Sequence, residues 1–367
     1  MSLMLLHRVL APRTRRARAA LPALVAAGAL TLAACGPADD GTPPAAEEPD
    51  AAPAVEPLQV LASFYALQYA VQQVGGDLVE VGSLTPAGAE PHDVELSPAA
   101  LREMSRADAV VYLSTFQPAV DDAIASREPE NLLDVFDAAD LRPVPDEHDH
   151  DDHADEDDHD HDGDGHQDHA PEDHVDEEHA DEAEERHTTD DGHDHGGLDP
   201  HFWLDPTRLA TVGEEIAALL SDVAPEHADT FAANAAAFTE DLAALDEELS
   251  TGLASCERDV VITGHTAFGY LAERYGFTEI GIAGIDPETE PSPARLRAIA
   301  EEARLHGVTA VYTDSAASPA VADALARDLG LEVLVLDPVE SQADPATDYR
   351  GVMESNLEAL RTGLGCE

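Results

Sequence analysis

The chain has 367 residues, 77 acidic against 19 basic, for a formal net charge of −58, and 43% of its residues are hydrophobic. That length supports two domains with real cores. Every basic residue is Arg, and a chain this acidic offers no basic face for a nucleic-acid duplex or an anionic lipid surface, so its natural ligand is a cation. Acidity spread beyond any one segment also fits adaptation to a salty medium.

The N-terminus carries Arg8, Arg13, Arg15, Arg16 and Arg18, then an apolar run over 19–34 ending Leu32-Ala33-Ala34-Cys35. A basic region followed by an apolar one and a small-residue cleavage site is a secretory signal, here residues 1–34. Its end matches a bacterial lipobox, in which Cys35 becomes the lipidated first residue of the mature chain. A transmembrane anchor is the competing reading, disfavoured by a run this short and Ala-rich. Residues 35–57, rich in Pro, Ala and acids, read as a flexible tether. The folded part is thus expected outside the cytoplasm, anchored to the cell membrane as a lipoprotein, with no other segment able to span a bilayer.

From residue 58 the pattern alternates. Strands are expected over 58–63, 78–84 and 109–113, with helices over 66–74, closed by Gly75-Gly76, and over 97–105, opened by the capping pair Ser97-Pro98. This βαβα order implies a mostly parallel sheet in an N-terminal lobe, 58–205. A tract over 146–195 interrupts it with 12 His and 25 Asp or Glu in fifty residues: His148, His150, His153, His159, His161, His166, His169, His174, His179, His187, His193 and His195. Imidazole and carboxylate are ligands that zinc prefers, and a tract that buries nothing is expected to be a disordered loop. It reads as an accessory metal scavenger, as a reporter of metal excess, or as an acidic spacer; scavenging is preferred, because many weak ligands raise the local metal concentration near a tight site.

Residues 206–257 are helical, broken at Ala224-Pro225, and Phe231, Ala235, Phe238, Leu242, Leu245 and Leu249 recur at steps of three or four, as on one long amphipathic helix. In the C-terminal lobe, 258–367, strands are expected over 260–263, 310–313 and 331–336, and helices over 268–275, 293–306, 319–329 and 349–364. Two α/β lobes with mostly parallel sheets, joined by the long helix, are the simplest assembly, with metal in the cleft between them. With Cys35 committed to lipid, Cys256 and Cys366 favour a disulfide in an oxidising compartment, two free thiols being the alternative.

The His residues outside the tract and the signal are His92, His201, His265, His227 and His306. His227 and His306, amid polar neighbours, read as ordinary surface or helix-end residues. His92 and His265 follow strands, His201 precedes the helix opening at Pro206, and Asp337 follows the strand 331–336. Ligands of open α/β sheets bind outside the carboxyl ends of strands, so these four can converge as a zinc set of three imidazoles and a carboxylate. Asp314, also at a strand end, is the alternative carboxylate. Capture through neutral imidazole is expected to fade below pH ~6.5.

The segments GAEPHDVELSP, DPHFWLDP, TGHTAFGYLAERYGF and VLDP, in that order around a His-rich insertion, resemble the four signature segments of the zinc- and manganese-binding lipoproteins of metal ABC importers, the ZnuA-type cluster. The resemblance runs over 58–364. It implies two (β/α)₄ lobes bridged by one rigid helix, a metal shell of His92, His201, His265 and Asp337, and delivery to a cognate ABC permease by a monomer. Zinc is implied over manganese, because many manganese members carry Glu at the position of His265, and nitrogen ligands point the same way. The family's acidic residue before the first His is replaced here by Pro91, with Glu90 close by. A hydrolase is disfavoured by the absence of HExxH and GxSxG; a metal-buffering storage lipoprotein, with the tract as main sink, is the remaining alternative.

Overall fold

The computed structural model describes residues 56–144, 197–314 and 320–367. The signal, Cys35, the tether to residue 55 and the His-rich tract lie outside them. No helix among the described residues is long and apolar enough to cross a membrane.

The N-terminal lobe runs β1 (Leu58–Ala62), α1 (Tyr65–Gly75), β2 (Val79–Ser83), α2 (Pro98–Met104), β3 (Ala109–Tyr112), α3 (Pro118–Arg127), β4 (Leu132–Asp134) and α4 (Phe136–Ala139). Its strands pair in parallel in the order β2-β1-β3-β4. A two-residue antiparallel ribbon follows, β5 (Arg142–Pro143) on β6 (Leu198–Asp199), then α5 (Pro206–Val223) and α6 (Ala228–Gly252). The C-terminal lobe is β7 (Val260–Thr263), α7 (Gly269–Tyr275), β8 (Thr278–Gly281), α8 (Pro293–Leu305), β9 (Ala310–Thr313), α9 (Ala320–Leu329), β10 (Glu332–Val335) and α10 (Tyr349–Leu364). Its parallel sheet has the order β10-β9-β7-β8. The fold is therefore the expected pair of parallel-sheet α/β lobes with a long helix. Sequence reading passed over α3, β4, α4, the β5–β6 ribbon and β8. The strands LLD and TEIG are short edge strands with polar or half-exposed positions, so neither carries a buried run or a clean alternation.

Strand side chains alternate faces, and each sheet divides its residues accordingly. Val60, Ala62, Ala109 and Val111 of the first sheet, with Val261, Ala310 and Tyr312 of the second, enter one continuous core with α1, α5, α6 and α10. Leu61, Val110 and Tyr112 face a smaller core under α2 and α3, and Val260, Ile262 and Val311 face another under α8 and α9. The buried residues of α6 are Phe231, Ala235, Phe238, Leu242, Leu245 and Leu249, the six that share a helical period. Helices α5 and α6 approach so closely that a Cβ on Gly213 would stand 2.8 Å from a ring carbon of Phe238. The long helix is thus more than a strut, since it fills the interior common to both lobes.

Cys256, just past α6, is bonded to Cys366 at the chain end. The ribbon β5–β6 is extended by the Val144 N–H donating to the Gly197 carbonyl at 2.9 Å, so the chain leaves for residues 145–196 and returns from them at adjacent points.

Candidate metal centre

The loop leaving β2 carries His92. Gln117 Nε2 donates to the Pro91 carbonyl at 3.1 Å and to Thr85 Oγ1 at 2.8 Å, and Thr85 Oγ1 donates to the Ser63 carbonyl. This chain of buried bonds fixes the loop, while the ring of Phe116 packs edge-on against the imidazole, centroids 4.8 Å apart. The His92 N–H donates to Glu90 Oε1 at 3.1 Å.

His201 lies between β6 and α5. Asp199 accepts from the His201 N–H at 3.0 Å and meets its Nδ1 at 2.8 Å. Asp205 then caps α5, accepting from the Thr207 N–H at 2.9 Å, with Pro206 in the first turn. His265 follows β7, and its Nδ1 meets Asp314 Oδ2 at 2.8 Å. Glu279 holds this loop from β8: its Oε1 accepts from Thr263 Oγ1 and from the N–H groups of Ala267 and Phe268 at 2.8–3.1 Å, and burial pushes its carboxyl up to about 7.

His92, His201 and His265 converge as expected, but Glu340 supplies the carboxylate. One ligand atom from each of these four buried residues lies within 4.8 Å of the others. Glu340 Oε1 stands 2.8 Å from His201 Nε2, 3.5 Å from His265 Nε2 and 3.7 Å from His92 Nε2. Bonds of ~2.0–2.1 Å to a tetrahedral zinc set ligand atoms roughly 3.4 Å apart, so the observed spacing brackets what one such ion needs. The pairing of Nδ1 with Asp199 and with Asp314 leaves Nε2 of both imidazoles aimed inward, the usual support of a metal-bound His.

Asp337 lies outside this group. Its Oδ1 accepts from the Val339 N–H at 2.8 Å and its own N–H donates to Asn356 Oδ1. That turn, with Val339 at φ 59°, swings the chain round Pro338 so that the residue three positions on faces the imidazoles. The turn is held by Trp203 Nε1 donating to the Pro338 carbonyl at 2.7 Å. The other carboxylate weighed from sequence, Asp314, serves as the outer partner of His265. His306 pairs with Glu302 on the surface and His227 packs on Phe231, both apart from the centre. Sequence reading missed Glu340 and Asp199. The second had a usable signal, because a metal-bound imidazole commonly gives its other N–H to a carboxylate, and Asp199 stands two residues before His201.

Glu340 stays well below the usual carboxylate range: burial pushes it up, but hydrogen bonds from three imidazoles outweigh that. Burial pulls His201 down, yet its bonds to Asp199 and Glu340 bring it up to about 9. His265 is likewise raised, burial being outweighed by Asp314, whereas burial wins at His92 and lowers it. Glu90 rises to about 8 through burial and the charge of Glu340. A cation taking Nε2 of His201 must displace its proton, so affinity should climb with pH up to about 9. Each bound proton costs about tenfold in affinity per pH unit below that point. The structure therefore moves the pH window above the ~6.5 of an unperturbed imidazole. Calorimetry in buffers of different ionisation enthalpy should register at least one proton released per ion at neutral pH; no release would contradict the paired imidazoles.

Residues 60–363 match the family described as zinc-uptake complex component A, periplasmic (ZnuA). The zinc-binding lipoprotein AdcA of Streptococcus pneumoniae is 32% identical over 312 residues, covering 83% of this chain and 55% of AdcA. The chain thus spans about half the length of that relative. The high-affinity zinc uptake system protein ZnuA of Bacillus subtilis is 28% identical over 93% of this chain and 96% of its own. Among solved structures, the Zn(II)-bound ZnuA-like domain of S. pneumoniae AdcA superposes with a TM-score of 0.62 at 28% identity, covering 84% of this chain and 99% of the domain.

Proposed function

The chain belongs to the ZnuA family of zinc-uptake components, and on that premise we propose that it captures Zn²⁺ outside the cytoplasm on His92, His201, His265 and Glu340 and delivers it to a cognate ABC permease. The observation that carries this reading is the closed set of three imidazoles and one ionised carboxylate, two of the imidazoles braced by carboxylates behind them. Such a set fills a tetrahedral shell and leaves no open position for a reacting water, so the protein binds its ion rather than using it for catalysis. Nitrogen-rich ligation favours zinc over manganese.

The finer parts of the reading are anchoring through lipid on Cys35 and scavenging by the His-rich tract 146–195. Lipid attachment is supported by the Leu-Ala-Ala-Cys segment and by the lipoprotein named among the relatives. The tract's accessory role is supported by the complete ligand set outside it and by the ribbon β5–β6, which closes its base.

Metal analysis of the soluble mature chain tests the assignment. A variant with Val144 joined through a short linker to Gly197 should fold and keep one tight zinc per chain, losing only weak sites. His265→Ala should lose the tight ion. Loss of nearly all zinc on deleting the tract, with little effect of His265→Ala, would overturn the proposal in favour of a storage protein.

A further inference from the structure

A pocket of about 350 Å³ lies against the metal centre on the C-terminal lobe, and its wall includes Glu90, Gly264, Asp314, Glu288, Glu290 and Val321. Three of these are neighbours of the ligands. Glu90 accepts the His92 N–H, Gly264 precedes His265, and Asp314 holds the His265 Nδ1. The Asp314 side chain is only 4% exposed, yet only Oδ2 is used in that bond; Oδ1 is buried without a hydrogen-bond partner. Gly264 leaves room for this carboxylate, since a Cβ there would stand 3.1 Å from Oδ2. The described lining holds four carboxylates and no basic residue. A buried carboxylate oxygen with no donor is costly, and a cleft lined by one sign of charge concentrates the opposite ion.

We propose that this pocket is the port through which a divalent cation reaches and leaves the centre, with Asp314 and Glu90 as the last carboxylates it passes before the imidazoles. The proposal rests on the zinc centre described above. In it, Glu288 and Glu290 attract the hydrated ion, which keeps most of its water because no third ligand completes a set there: the described residues contain no other group of three or more ligands able to hold a metal. Asp314 then serves twice, one oxygen bracing His265 while the negative charge of the carboxylate draws the ion along the pocket.

Stopped-flow fluorescence of the chain's single tryptophan, Trp203, tests this, since its ring centroid lies 5.4 Å from that of His201. The probe is Zn²⁺ alone, with a competing chelator for dissociation and for the equilibrium constant. Val321 is 38% exposed in the pocket wall, so Val321→Trp fills the route without entering the core; in that variant the rates are read from the chelator's zinc signal. Both association and dissociation should slow by the same factor, on the order of tenfold, leaving Kd unchanged, because obstructing a path leaves its end states alone. Glu288→Gln with Glu290→Gln should slow association about tenfold at low ionic strength and far less in high salt. The same charge change at the exposed Glu214 and Glu215 of α5 should do nothing comparable. Unchanged rates in both pocket variants would overturn the port while leaving the centre intact. Absence of tight zinc in the parent protein would instead remove the centre on which the port depends.

Discussion

Glu340→Gln is expected to weaken zinc binding by more than ~100-fold, beyond the 10–100-fold typical of residues that merely support a ligand, whereas Asp337→Asn should leave tight binding in place. Among the described residues Glu340 contributes the one negative charge placed against all three Nε2 atoms. A neutral amide of the same shape keeps the packing but gives up both the charge that favours a dication and the strength of a charge-assisted contact. The ion-free protein changes too: without Glu340 the raised protonation of His201 and His265 loses one of its two supports, so fewer protons should be released on binding. Competition against a chelator of known affinity, at a fixed pH near 7, measures the difference. Equal losses in the two variants, or a larger loss in Asp337→Asn, would return the carboxylate's role to Asp337.

That pair of residues also marks where the sequence stops being legible. His92 and His265 could be placed because each follows a strand, and strand ends of parallel sheets converge on a cleft, while His201 was placed by its position just before the helix opening at Pro206. The carboxylate could not be placed by that rule, since Asp337 is the residue directly after the strand. What decides between Asp337 and Glu340 is a turn in which Asp337 caps the Val339 N–H and Val339 takes a positive φ, a conformation few β-branched residues adopt. Nothing in the one-dimensional pattern announces it. The long helix shows the opposite case: its six buried residues follow from periodicity alone. What periodicity could not supply was the company those residues keep, because a helix pattern states which face is buried and not which elements bury it.

Removing the disulfide should produce the largest change in stability. Cys256 and Cys366 are separated by 110 residues, and a cross-link closing a loop of about 100 residues contributes up to ~4.7 kcal/mol by constraining the unfolded chain. Cys256→Ser with Cys366→Ser is expected to cost about 3–5 kcal/mol and to lower the melting temperature by roughly 10 °C. The fold itself should persist, because the same junction is held by Arg258 N–H donating to the Leu364 carbonyl at 3.0 Å and Glu367 N–H to the Ser255 carbonyl at 3.1 Å. Zinc affinity should hardly move: the bond ties the amino end of β7 to the chain terminus, while His265 follows the carboxyl end of the same strand. Calorimetric melts with and without zinc separate the two effects. A drop under 1 kcal/mol would mean that the backbone bonds alone secure the terminus.

The single interior shared by both sheets has a consequence for how a loaded protein differs from an empty one. Trp203 packs at a tilt against Phe64 and Phe116 of the first lobe, at 4.6 and 5.7 Å between centroids, and reaches Pro338 of the second through its indole N–H. Parting the lobes would uncover these rings, at roughly 1.5–3 kcal/mol for each large side chain exposed, together with the residues of α5 and α6 around them. Separation of the two lobes is therefore opposed by the same rings that seat Trp203. Any rearrangement on metal binding is accordingly expected first in the two short stretches around His92 and Glu340, where the chain turns past the strand ends.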